Sequence, residues 1–170
     1  VRHIVGVQLR NLATVGGSIY SRFGFSDVLT MFLALNASVE LYKGGVVPLA
    51  EYAERPYDRD IVVRLLVRKE AADYCYQSVR NSQTDFPVLT CAAAKLADGS
   101  IRAAIGARPG KAVLYTAAPE AGETAEEFAA RFAAEVKADI KTESNLRGGA
   151  EYRRHLAGVL TKRAVCRLEG

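Results

Sequence analysis

The residues best placed to do chemistry in this 170-residue chain are Thr14-Val-Gly-Gly-Ser18. Two adjacent glycines let backbone N–H groups approach an anion with no Cβ in the way, so a turn of this kind can hold a phosphate. The stretch is neither the dinucleotide fingerprint Gly-x-Gly-x-x-Gly nor a P-loop ending in Gly-Lys-Ser/Thr, and by pattern alone Gly-Gly is more often an ordinary turn. Elsewhere the reactive residue types are scattered. No Ser, His and Asp set and no paired carboxylates stand out as a hydrolytic site. His3 and His155 stand alone, and Cys75, Cys91 and Cys166 are far apart with no Cys-x-x-Cys pair for zinc or an iron–sulfur cluster. Neither a catalytic side chain nor a metal site is assigned. Two of the cysteines sit in strand-like apolar runs, where a free thiol behaves as a small hydrophobe, and a reducing, cytoplasmic setting fits them.

The elements that must carry these residues belong to a folded globular chain, since 49% of residues are apolar and 25% charged. A net charge of +4 raises the question of a nucleic-acid partner, but 23 basic residues are offset by 19 acidic ones along the whole length. A mixed, solvated surface is the better reading, with no nucleic acid bound. Even the richest apolar segment, Val28 to Leu41, is broken by Thr30, Asn36, Ser38 and Glu40, so no membrane span is expected. The N-terminus, Val1-Arg-His-Ile-Val, has neither a signal-type stretch nor an initiating Met, and the chain is expected to begin inside a larger protein.

Ser26-Asp27 offers an N-cap for a buried helix over Val28–Leu35, with Asn36 suited to a left-handed stop. Ser38–Tyr42, Lys43-Gly44-Gly45 and Val46–Leu49 read as a strand, a tight turn and a returning segment. The charged stretch Glu51–Asp60, with Pro56 and no apolar period, marks the expected boundary between units 1–57 and 58–170. Beyond it Asp60–Val67, Tyr74–Val79, Val88–Ala97, Ile101–Ala107 and Lys111–Ala117 are strand candidates, and Asp98-Gly99 is a strong hairpin signal. Thr124-Ala-Glu-Glu127 has capping-box spacing and starts a helix whose stripe is Phe128, Phe132, Val136 and Ile140. The last helix, about Ala150–Leu168, is expected to bury Tyr152, Leu156, Val159 and Leu160 and to expose Arg153, Arg154, Lys162 and Arg163. The fold class is α+β, a mostly antiparallel sheet with packed helices.

The longer stretch Gln8-Leu-Arg-Asn-Leu-Ala-Thr-Val-Gly-Gly-Ser-Ile19, followed by Ser26-Asp27 and the apolar helix, resembles the second FAD-binding segment of the molybdenum hydroxylase flavoprotein subunits. That family includes xanthine dehydrogenase and the medium subunit of aerobic carbon monoxide dehydrogenase. Its wording is close to Gln-Ile-Arg-Asn-x-Ala-Thr-x-Gly-Gly-Asn-Ile, so Ser18 stands where Asn is common. Ser144-Asn-Leu-Arg-Gly-Gly-Ala-Glu-Tyr-Arg-Arg154 is similar to the family motif leading into the final helix. Tyr76–Leu96, with Asp85, and Gly106-Ala-Arg-Pro-Gly-Lys111 resemble the family's C-terminal domain. The fold implied is part of a FAD-binding subdomain over 1–57, then a domain like the C-terminal domain of the CO dehydrogenase flavoprotein over 58–170.

By this resemblance Thr14, Val15, Gly16, Gly17 and Ser18 contact the FAD through backbone amides and the Thr14 hydroxyl, with Ile19 and Tyr20 packing nearby. Asp27 matches an acidic residue that hydrogen-bonds the ribityl region, with a helix cap as its structural alternative. Val62 matches an aliphatic residue on the flavin, and Gln77 a position where relatives carry Lys. The implied mechanism is electron transfer: electrons pass from a molybdopterin centre through 2Fe-2S clusters on partner subunits, then through FAD to NAD or another acceptor. Family subunits carry a preceding region with another Gly-rich loop on the pyrophosphate, so this chain is expected to bind FAD weakly or not at all and to be inactive alone. A role as a non-catalytic assembly module for the molybdenum-binding large subunit and the 2Fe-2S small subunit is the alternative.

Overall fold

A computed structural model of the chain describes residues 1–70 and 72–169. Three short helices, α1 (Val7–Leu12), α2 (Val15–Tyr20) and α3 (Asp27–Ala34), precede β1 (Ala37–Leu41), β2 (Gly45–Pro48), α4 (Leu49–Glu54) and β3 (Val62–Val67). The strands form an antiparallel sheet in the order β2-β1-β3. A second antiparallel sheet, in the order β4-β5-β6-β7, comprises β4 (Asp73–Val79), β5 (Leu89–Lys95), β6 (Ile101–Gly106) and β7 (Val113–Ala117). Helices α5 (Ala125–Asp139) and α6 (Ala150–Glu169) complete the chain.

Strand β5 is buried on both faces. Because side chains alternate across a strand, Cys91 and Ala93 face a core closed by Phe128, Phe132, Val136 and Ile140 of α5 and its C-terminal end, and by Leu156, Leu160 and Val165 of α6. Ala92 and Ala94 face the opposite core, which α3 closes with Leu29 and Leu33. The four α5 residues are those of the sequence stripe, and the capping box at Thr124 is formed as expected, with Glu127 bonded back to the cap. Ser26 caps α3, its Oγ accepting from Leu29 N at 3.1 Å. The hairpin between β5 and β6 turns at Gly99, whose φ of +82° is the conformation that Asp-Gly supplies.

Four expectations are corrected. β3 pairs with β1, Val39 opposite Leu65, so the strand placed after the 57/58 boundary belongs to the first sheet. Its hydrogen bonds rather than its composition decide this. The first part of the expected linker is the helix α4, with Tyr52 and Ala53 buried. Asn36 takes no left-handed conformation, because the chain passes from Leu35 directly into β1. In α6 the buried face carries Arg153 and Thr161 besides Leu156, Leu160 and Val165, while Tyr152 is 49% exposed.

Arg153 is fully buried and donates to Val88 O (2.9 Å), Glu143 O (2.6 Å), Gly148 O and Asn145 Oδ1 (2.6 Å). It thereby pins the loop that precedes α6 to the second sheet. Burial, with the charge of nearby Arg147, lowers its pKa. Arg153→Met removes all these donors and strands the buried Val88 carbonyl together with three partly buried acceptors, and a buried one left unmade costs about 1–3 kcal/mol. The expected loss of stability is about 3 kcal/mol or more, read from the urea unfolding midpoint, whereas a surface role would leave that midpoint unmoved.

Candidate functional site

Thr14 has extended backbone and caps α2, its Oγ1 accepting from Gly17 N at 2.9 Å. The Thr14–Ser18 stretch is therefore the opening of a helix and not a free turn. A hydroxyl at the cap satisfies one first-turn donor, while the amides of Val15 and Gly16 have no carbonyl four residues back within the helix. Neither glycine has the positive φ that would demand it. In a helix each costs roughly 1 kcal/mol relative to Ala, and a Cβ on Gly16 would meet nothing within 4 Å. On Gly17 it would meet Thr14 Oγ1 at 3.0 Å. The result is an exposed strip of bare backbone at the start of α2.

The neighbours of this strip divide. Thr14, Val15, Gly16 and Gly17 are exposed and Ser18 is half-buried, its Oγ donating to Thr14 O. The Ile19 side chain is fully buried in the core with Leu29 and Val39, and Tyr20 is 39% exposed. Asp27 opens α3 just after its cap, so the capping role falls to Ser26. Its carboxylate is nearly buried and accepts, on Oδ1, from both the Tyr76 hydroxyl and Arg80 Nη2. Burial and then the Asp27 charge push the Tyr76 hydroxyl far up, so it stays a donor. Arg80 Nη1 donates to Asp85 O at 2.7 Å, and the Asp85 carboxylate takes Arg147 Nε at 3.0 Å and Nη2 at 2.9 Å.

A cavity of about 480 Å³ lies between Val15, Asp27, Met31, Phe32, Tyr76, Arg80 and the segment Val1–Ile4. That size suits part of a cofactor, and its walls are apolar with a few convergent polar groups. Arg10 ties the segment down by donating to Ile4 O and Val5 O. The structure thus brings the start of α2 and Asp27 to one place. It does not bring Val62 or Gln77 there. Val62 is half-buried opposite Leu41 and packs on the core around Ile19. Gln77 pairs with Cys91 and shares the face of Cys75, to whose Sγ its amide donates at 3.5 Å, so the sheet separates it from Asp27. Tyr76 and Arg80, which sequence reasoning missed as site residues, take that place. Strand alternation at Tyr74–Val79 is the signal that could have shown Tyr76 and Gln77 facing opposite ways.

Residues 1–69 match the family model described as the FAD binding domain in molybdopterin dehydrogenase. Residues 74–168 match that of the CO dehydrogenase flavoprotein C-terminal domain. The chain belongs to the FAD-binding subunits of the molybdenum hydroxylase family. It is 26% identical over 153 residues to the uncharacterized protein YgfM of Escherichia coli (strain K12), covering 90% of this chain and 57% of that protein. Its fold is that of a carbon monoxide dehydrogenase chain from Hydrogenophaga pseudoflava, with a TM-score of 0.83 at 23% identity, covering 98% of this chain and 64% of the other. A quinoline 2-oxidoreductase chain from Pseudomonas putida 86 matches with a TM-score of 0.80 at 19% identity, over 99% and 64%. The chain therefore spans about 57–64% of the length of these relatives. For the family's flavin, the open backbone at Gly16 and the half-engaged carboxylate of Asp27 are a fit. Among the described residues no group of three or more His, Cys, Asp or Glu could hold a metal ion, and no helix is long and apolar enough to cross a membrane.

Two outcomes follow from this geometry. Gly16→Ala, adding a Cβ into open space, is expected to stabilise the fold by about 0.5–1 kcal/mol in a urea titration, and a loss would mean an unseen steric demand. The Asp85 carboxyl is held below its ordinary value of 3.8 by Arg147 and the Phe86 amide. Its stabilising contribution is present above that pH and is lost as pH falls through the lowered folded value. Asp85→Asn should flatten the acid limb of a plot of thermal midpoint against pH.

Proposed function

We propose that this chain is the part of a molybdenum hydroxylase or dehydrogenase flavoprotein that holds the ribityl and pyrophosphate side of FAD. The observation that carries the reading is that Val15, at the start of α2 beside the open backbone of Gly16, and Asp27 line one cavity. On this reading Thr14, Val15, Gly16, Gly17 and Ser18 present amides and a hydroxyl to the phosphates, and Tyr20 closes the edge. Asp27 accepts from the ribityl hydroxyls. On this reading neither Val62 nor Gln77 touches the part of FAD held here, since neither lines the cavity and Gln77 lies across the sheet. Bound flavin supplies two-electron chemistry, accepting reducing equivalents from 2Fe-2S clusters and delivering them to NAD or another acceptor. The chain's own residues bind, orient and shield it.

The molybdopterin-binding large subunit and the 2Fe-2S small subunit are the proposed partners, in a reducing cytoplasmic setting. The Gln8–Ile19 and Ser144–Arg154 motifs support the family as a whole, and within it a xanthine dehydrogenase-like type, with a purine hydroxylated on the large subunit, is proposed. The 170-residue chain alone is proposed to bind FAD weakly and to be inactive. A second reading, an assembly module, is favoured by an exposed aromatic cluster: Phe23 stacks on Phe25 at 5.1 Å and Phe25 meets Phe86 at 4.8 Å. Aromatic side chains of this kind anchor protein interfaces.

The test is made in the intact subunit. Gly16→Val and Asp27→Ala are expected to cut bound flavin, measured by absorbance after denaturation, by tenfold or more while leaving complex formation unchanged. Unaltered flavin content with lost assembly would transfer the role to the second reading.

A further inference from the structure

We propose that Tyr76 and Arg80 are positioning residues that turn the free oxygen of Asp27 toward the cavity, where it selects a neutral, hydroxyl-bearing chain. This rests on the FAD reading above and names the residues that set its ribityl contact. Both donors converge on Oδ1, and no described residue donates to Oδ2. The carboxylate is thus held by one oxygen and open at the other, on the wall of the cavity that Tyr76 and Arg80 also line.

The cluster lacks a stability rationale. Asp27 and Arg80 side chains are 9% and 8% exposed, and a buried pair of this sort is often no better than well-packed apolar residues of similar volume. The helix does not need Asp27 as its cap, because Ser26 fills that position. Arg80 also leaves its buried Nε without a partner. The guanidinium is nevertheless fixed from its far side by Asp85 O, so its Nη2 has one place to point. Tyr76 reaches α3 because even-numbered β4 residues face that helix, while Cys75 and Gln77 face α5 and α6. A carboxylate so aimed accepts from hydroxyls and repels phosphate, so it reads the polyol stretch of a ligand.

The experiment uses the full-length apo-subunit, titrated with FAD and with FAD analogues each lacking one ribityl hydroxyl, followed by flavin fluorescence quenching. Wild type should bind one of these analogues about tenfold more weakly than FAD. Tyr76→Phe and Arg80→Met should each weaken FAD about tenfold and bind that same analogue no worse than FAD, losing the discrimination. Arg80→Lys should restore part of it. Equal weakening of FAD and every analogue would reduce both residues to a structural role and overturn the proposal, as would unchanged binding in both variants. If Asp27→Ala binds FAD as wild type does, the FAD reading of Asp27 fails first and this inference with it. If Asp27→Ala is weakened while Tyr76→Phe and Arg80→Met are not, only the positioning fails.

Discussion

The site depends on how closely α3 can lie on the second sheet. At the contact Thr30 Oγ1 and Thr90 Oγ1 are 3.2 Å apart, and a Cβ added to Gly106 would fall 2.3 Å from the first and 2.6 Å from the second. Around this point β5 and β6 offer Ala92, Ala94 and Ala104. A larger side chain there would lift α3, at a cost of about 1–3 kcal/mol for an overfilled core. The separation would matter more than the cost, since Asp27 sits at the first turn of that helix and its partners stand on β4 (Tyr76) and just past its end (Arg80). The approach of one helix to one pair of strands therefore sets whether the carboxylate, the phenol and the guanidinium meet at all.

Buried arginines do a second kind of positioning. Arg22, in a left-handed backbone conformation with φ of 48°, lies between the rings of Tyr52 and Tyr57 at 4.4 and 4.5 Å. It donates to Arg55 O and Pro56 O at 3.1 Å each. Arg153 treats the loop before α6 in the same way. Guanidinium groups suit this work because their several N–H donors leave in fixed directions, so one side chain satisfies carbonyls of a loop that has no ladder of its own. In both cases the charge sits among carbonyl dipoles.

These arginines explain where sequence reasoning stopped. Patterns that act locally were legible: the capping box at Thr124, the Ser26 cap, the Asp98-Gly99 hairpin and the Phe128–Ile140 stripe depend only on residues a few positions apart. The face of α6 was misread because Arg153 counts as polar in any periodicity, although its acceptors at Val88 and Glu143 arrive from elsewhere in the fold. β3 was assigned to the wrong unit because a β-rich segment says nothing about which strand it will pair with. Gly16 and Asp27 were singled out through the motif around them, and their contact with FAD is a proposal. Tyr76 and Arg80 were not, since nothing local marks a phenol and a guanidinium that share one distant carboxylate oxygen.

The chemistry of the cavity gives any ligand a direction. On the proposed reading, amides at the start of α2 favour negative charge, while Asp27 nearby disfavours it and asks for donors. Arg80 softens that repulsion only partly, because one N–H of its Nη2 is already bound to Oδ1 and one of its Nη1 to a carbonyl. A ligand with an anionic end and a hydroxylated stretch is then accommodated one way round, phosphates toward Gly16 and hydroxyls toward Asp27. The reversed pose would set a phosphate against the carboxylate and leave α2 amides facing neutral groups. Orientation of the cofactor would follow from these two neighbouring polarities, before any contact with the flavin ring contributes.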